Sequence, residues 1–334
     1  MTGKIEYPSK PQFINLDKFP ALRANWNYSY NKLIQLNAIL IEKINRKEIA
    51  IVVAGSYGRL EACRYSDLDY MILTEHPIET AEGIKNIISS AANDLDISMP
   101  NPFGVFSDII PISDMIDRTG SKEDDLSSLA QRMLLLMETR PIYNEHLYRD
   151  VVSRIMRKYL EFVIKDTSKE PLFLINDIIR YFRTICVNYE YNFWKEEDKW
   201  VLRNVKLRHS RIIMYAGLLL LVLNSSKFTD VDKNKLQYLS NRFELSPLEK
   251  IAHVYKDNDD HSVNRIFSIY DVFLRKISDP ELREALKIDY LERYESHHYI
   301  DMKVTGDALQ TELTRFIFAQ KGSWTEQIFE YLIF

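Results

Sequence analysis

Val53-Ala54-Gly55-Ser56-Tyr57-Gly58-Arg59-Leu60-Glu61, followed by Ser66-Asp67-Leu68-Asp69-Tyr70, decides how this chain reads. The apolar run Ile51 to Ala54 delivers a Gly-Ser turn. A short polar connection then leads to two aspartates at i and i+2, ahead of the apolar run Tyr70 to Leu73. Alternate side chains of a strand share a face, so a strand over Asp67 to Thr74 sets both carboxylates on one side, with Cα atoms about 7 Å apart. That separation suits two carboxylates sharing a pair of magnesium ions about 3.5–4 Å apart. The Gly-Ser turn offers backbone N–H groups to a phosphate, most strongly if a helix starts there. Phosphate cradle and metal-holding carboxylates together are the minimum needed to move a phosphoryl or nucleotidyl group.

This arrangement resembles the nucleotidyltransferase superfamily typified by DNA polymerase β, whose signature is a Gly-Ser turn, roughly ten residues, then Asp-x-Asp or Asp-x-Glu. The local form, G-S-Y-G-R-L-E with S-D-L-D, looks most like the branch of PII-protein uridylyltransferases, glutamine synthetase adenylyltransferases and their uncharacterised relatives. There the second glycine and the Arg and Glu after it belong to the pattern, and here they are Gly58, Arg59 and Glu61. The core likeness covers about 25 residues. A weaker one runs through Gly104-Val105-Phe106-Ser107 and Thr139-Arg140-Pro141-Ile142-Tyr143, and the segment Asn176 to Thr184 is similar to one in the uncharacterised relatives.

The resemblance implies an α+β fold: a small mixed sheet with flanking helices, then an all-α domain. It implies transfer of a nucleoside monophosphate from an NTP to an acceptor hydroxyl, with Mg²⁺ or Mn²⁺ held by Asp67 and Asp69. Gly55 and Ser56 would bind phosphate, and Gly58 would permit a close approach or a positive φ. Arg59 has two readings, reaching the phosphates or pairing with Glu61. Active members often carry a third carboxylate on the next strand. Here the match is poor, with Asp108 the first choice and Asp96 the second. In the regulatory enzymes of this branch the acceptor is a tyrosine hydroxyl, which favours a protein side chain, with a small molecule next. A catalytically silent nucleotide-binding regulator with the same fold is the alternative, because fold does not fix function.

Composition agrees with a globular enzyme. The chain has 334 residues, which makes two domains the prior. Net charge is −4, so no global field draws nucleic acid to it. Cys63 and Cys186 show no metal-ligand spacing and read as reduced thiols of a cytoplasmic protein. Residues Met1 to Pro20 lack an apolar signal core. Ile212 to Leu223, the longest apolar run, is short of the ~20 residues a membrane span needs and reads as a buried helix. His297-His298 lacks a carboxylate at metal-ligand spacing. No Walker-type Gly-Lys-Ser/Thr and no nucleophile elbow is present.

Apolar periodicity predicts a helix from about Ala21 to Asn45, a strand Ile49 to Ala54, a helix Thr80 to Leu95, a strand Val105 to Ile112 and a helix Leu126 to Glu138. The charged run Lys165 to Glu170, ending at Pro171, reads as the linker between a catalytic domain over 1–165 and a helical domain over 171–334. In the latter, Leu174 to Tyr189 repeats apolar residues at 3 and 4, with Asn176, Arg180 and Arg183 on another face. Arg203, Lys206, Arg208 and Arg211 follow within nine residues. These cations either form a solvated face or, like Arg180, Arg183 and Lys206 as cofactor-binding candidates, meet a triphosphate, for which the guanidinium fork is suited.

Overall fold

A computed structural model describes residues 3–100, 108–165, 170–193, 197–228 and 234–333. The chain is a mixed α+β protein that divides into two compact units, one of Met1–Pro11 and Ala24–Phe162, the other of Gln12–Arg23 and Val163–Phe334.

The first unit is built on a four-stranded sheet. Helix α1 (Pro20–Lys43) leads to β1 (Ile49–Val53), a helical turn α2 (Gly55–Gly58), β2 (Tyr70–Thr74) and α3 (Glu82–Asp94). Then follow β3 (Ile109–Pro111), α4 (Ile112–Asp117), α5 (Leu126–Glu138), β4 (Arg140–Tyr143) and α6 (Glu145–Lys165). The strand order is β3-β2-β1-β4. β1 is antiparallel to both β2 and β4, and β2 is parallel to β3. Every residue of β1 and β2 is buried. Strands covered on both faces read as continuous apolar runs rather than alternating ones, as Ile-Ala-Ile-Val-Val does. Pro111 and Pro141 lie in the two edge strands, where a missing N–H costs no ladder bond.

The expected strand over Asp67 to Thr74 is shorter than predicted and begins at Tyr70. Leu68 N–H is taken by the Ser98 carbonyl (2.8 Å), and Asp69 N–H turns back to the Asp67 carbonyl (3.2 Å). This three-residue turn breaks the pleat. The strand expected over Val105 to Ile112 is described only from Ile109 to Pro111, and Ile112 opens α4. The Gly104 to Ser107 likeness and residues 166–169 of the expected linker lie outside the described residues.

The second unit is helical. Its elements are α7 (Leu172–Phe193), α8 (Glu197–Lys206), a π-helical segment Leu207–Arg211, α9 (Ile212–Asn224), α10 (Leu236–Ser240), α11 (Pro247–Asp257), α12 (Val263–Ile277), α13 (Pro280–Ala285), α14 (His297–Ala319) and α15 (Glu326–Ile333). The apolar run Ile212 to Leu223 is the core helix α9. A Cβ on its Gly217 would lie 2.8 Å from the Pro247 carbonyl, so glycine lets α11 pack close. No helix among the described residues is long and apolar enough to cross a membrane. Gln12–Arg23 groups with this unit through specific bonds. Gln12 N–H donates to Glu249 (3.0 Å), Leu22 N–H donates to Asp271 (2.8 Å), and Phe13 stacks on His253 at 5.0 Å.

Candidate functional site

β1 ends at Val53, and extended Ala54 precedes the four-residue turn Gly55–Gly58. Gly55 has φ +60, in the left-handed region that favours glycine. A Cβ there would also sit 2.3 Å from Asp69 Oδ2. Glycine is therefore required twice, once by the backbone and once by the carboxylate resting on it. The Ala54 N–H donates to the Asp69 carbonyl at 2.8 Å, which fixes this aspartate against the turn. Asp67 is exposed at the other end of the three-residue turn, and Asp69 is half-buried. The structure thus brings the Gly-Ser turn and Asp69 together, with Asp67 one short turn away in the chain.

The turn closes as a Schellman motif. Leu60 N–H bonds to the Tyr57 carbonyl (3.1 Å) and Glu61 N–H to the Ser56 carbonyl (2.8 Å). Leu60 occupies the left-handed position with φ 61, where glycine is usual. Its fully buried side chain offsets the conformational cost. The amides of Ser56 and Tyr57 lie in the first turn of a helix, where no intrahelical acceptor exists. Ser56 is half-buried, and burial pushes the Tyr57 phenol up.

Arg59 and Glu61 face inward. Arg59 Nε donates to Glu61 Oε2 at 2.7 Å, and its Nη1 donates to Glu138 Oε2. Arg59 is 6% exposed, so of its two sequence readings the structure has it paired with Glu61. The other Glu138 oxygen accepts the Gly55 N–H at 3.3 Å. Gly55 therefore donates to protein. Gly58 is needed because a Cβ would fall 2.0 Å from the Glu138 carbonyl and 2.9 Å from that of Val53. Sequence reasoning missed Glu138, the last residue of α5. The signal was present: a carboxylate ending a helix opposes the macrodipole, and this one follows the apolar run Leu134 to Met137.

Asp108 stands at the start of β3, its carbonyl accepting the Ile72 N–H at 3.0 Å. Burial raises its carboxyl above the usual range, opposed by Lys85. Among the described residues no three of His, Cys, Asp and Glu gather into a metal-holding group. Asp96 is exposed with φ 52, in the left-handed region. The Asp67 and Asp69 carboxylates suit a hard divalent cation. Magnesium takes one or two carboxylates and fills its other positions with water and substrate phosphate. The Asp69 carboxylate, held where a Cβ at Gly55 would otherwise lie, supplies an oxygen donor beside the phosphate cradle.

The basic candidates belong to the helical unit. Arg180 and Arg183 are exposed on α7, Arg180 3.7 Å from Asp177. Lys206 is half-buried at the end of α8, and Arg208 pairs with Asp307 at 2.7 Å. Cys63 and Cys186 are half-buried free thiols, and His297 and His298 are exposed. No family model matches this chain, and no curated protein matches it in sequence.

Proposed function

We propose that the chain is a metal-dependent nucleotidyltransferase. The observation that carries this reading is the seating of the Asp69 carboxylate on Gly55 of the Gly-Ser turn, with Asp67 one short turn away. The acceptor oxygen forms a bond to the α-phosphorus of an NTP, the bond to the bridging oxygen breaks, and pyrophosphate leaves. The acceptor's proton passes to solvent. Asp67 and Asp69 would hold Mg²⁺ or Mn²⁺, which when bound neutralises phosphate charge and acidifies the acceptor hydroxyl. The amides of Ser56 and Tyr57 and the Ser56 hydroxyl orient phosphate oxygens, while Gly55 admits them without a side chain. Arg59 shapes the turn rather than touching substrate, because Glu61 and Glu138 already hold its guanidinium. A protein side chain is the favoured acceptor and a small molecule the next, in line with the branch that the motif resembles.

The test is incubation with each α-³²P-labelled NTP, Mg²⁺ or Mn²⁺ and a cell lysate, with wild type beside Asp69→Asn. Label on a protein or small molecule with wild type only, and at least a hundredfold less with the variant, is the expected outcome. Full turnover by Asp69→Asn would sink the proposal. The second reading is a silent nucleotide-binding regulator with the same fold. It predicts NTP binding with no label transferred under either metal.

A further inference from the structure

Arg140 opens β4, and its backbone pairs with Val53, the last residue of β1. Val53 precedes Gly55 by two residues, about 7 Å along an extended chain, which lies within the span of an arginine side chain. Arg140 is 6% exposed. Its Nε has no hydrogen-bond partner, and among the described residues its guanidinium forms no ion pair. Its charge is felt by the Tyr7 hydroxyl, which itself donates to the Pro141 carbonyl at 2.9 Å. Glu145, the acid that also acts on Tyr7, is engaged by Arg149 at 2.9 Å.

Three other buried cations of this chain are each held by an acid. Arg59 has Glu61 and Glu138, Arg132 has Asp124, and Lys235 has Glu170. A guanidinium keeps its charge and presents five donors in a rigid fork. Leaving one buried without an anion is among the costlier arrangements a fold can hold. The motif's own arginine is neutralised, while among the described residues the cation on the neighbouring strand has no counter-ion.

We infer that Arg140 is an oxyanion receptor that binds a phosphate group beside the Gly-Ser turn. The choice of phosphate rests on the nucleotidyl-transfer reading, in which the group belongs to the NTP or to the pyrophosphate released from it. The planar fork of arginine matches tetrahedral phosphate through two parallel N–H···O bonds, which an ammonium does not reproduce.

The experiment is calorimetric titration of the full chain with pyrophosphate in EDTA, with citrate as a carboxylate control of similar charge. Wild type is compared with Arg140→Met and Arg140→Lys. Wild type is expected to bind pyrophosphate more tightly than citrate. Arg140→Met should weaken pyrophosphate at least tenfold, and Arg140→Lys by less. The ligand-free melting temperature of Arg140→Met should equal or exceed that of wild type, because the variant removes an uncompensated charge. Equal pyrophosphate affinity in wild type and Arg140→Met overturns the inference, as does a citrate response as strong as that to pyrophosphate. If Arg140→Met does not fold, Arg140→Lys decides, since it keeps the charge and loses the fork. Unchanged affinity in it overturns the assignment. Label transfer that needs Asp69, with pyrophosphate binding indifferent to Arg140, defeats this inference alone. Arg140-dependent binding by a protein that labels nothing defeats the transfer reading alone.

Discussion

Glu138 joins three parts of the first unit with two oxygens: the Gly55 amide, the Arg59 guanidinium and, through Arg59, Glu61. Removing one member of a buried ion pair leaves the other charge uncompensated, which typically costs about 3–5 kcal/mol. Arg59→Met keeps much of the volume but strips both Glu61 and Glu138 of their cation. Urea unfolding should show a loss near that range, and a change under about 1 kcal/mol would mean that the two carboxylates are otherwise compensated. Its 6% exposure places Arg59 where no solvent relieves the loss. The Gly-Ser turn and the aspartates were legible at this scale because glycine, serine and the Asp-x-Asp spacing are local signals. Glu138 was not, because its partners lie 79 and 83 residues away in sequence.

Elements whose ends carry their own chemistry match the sequence closely. α5 spans the predicted Leu126 to Glu138, with the Asp125 side chain capping the Ser128 amide at 2.7 Å. β4 escaped notice because it is four residues long and includes Pro141, and only its edge position makes that proline acceptable. The start of β2 was misjudged because Leu68 and Asp69 spend their amides on a bridge and a turn, which alternation of side chains does not report. The π-helical segment Leu207–Arg211 had no sequence marker. It holds His209 fully buried, stacked on Phe273 at 4.4 Å, with Nδ1 2.8 Å from the Val205 carbonyl and Nε2 3.2 Å from Thr305. Burial is the main cause that lowers its pKa from 6.5 to about 4. The folded imidazole thus stays neutral while the unfolded one takes up a proton between these values. Stability from His209 is complete above pH 6.5 and is lost as pH falls toward 4, by about 3 kcal/mol in all. Denaturant titrations at pH 7.5 and 4.5 should show this loss, and His209→Gln should flatten it. An equally steep decline in the variant would assign the acid sensitivity to other groups.

The molecule as a whole divides at Phe162/Val163, near the Lys165 to Glu170 run that composition marks as a linker. What composition did not mark is that Gln12–Arg23 belongs with the helices. Its partners are side chains more than two hundred residues further on. Phe19 is 5% exposed and meets Phe267 edge-on at 5.6 Å. Phe19→Ala should cost the helical unit about 3–5 kcal/mol, the usual loss for a buried aromatic. The measurement is unfolding followed by the near-ultraviolet signal of Trp200 and Trp324, both in that unit. No shift in its midpoint would mean that the segment rests on the helices without supporting them.

That segment also imposes an order on biosynthesis. Residues 12–23 leave the ribosome more than two hundred residues ahead of their partners, Glu249, His253, Phe267 and Asp271. Synthesis at about 5–20 residues per second leaves a gap of the order of tens of seconds. Throughout that interval Phe13 and Phe19 have none of these partners to cover them. Among the described residues the sheet-bearing unit has its strands by Tyr143, whereas the helical unit finishes only by recapturing residues 12–23. A nascent chain stalled after Phe162 therefore carries an apolar strap without its native site. Folding of the helical unit includes closing a loop of more than two hundred residues, a slow event by contact-order reasoning.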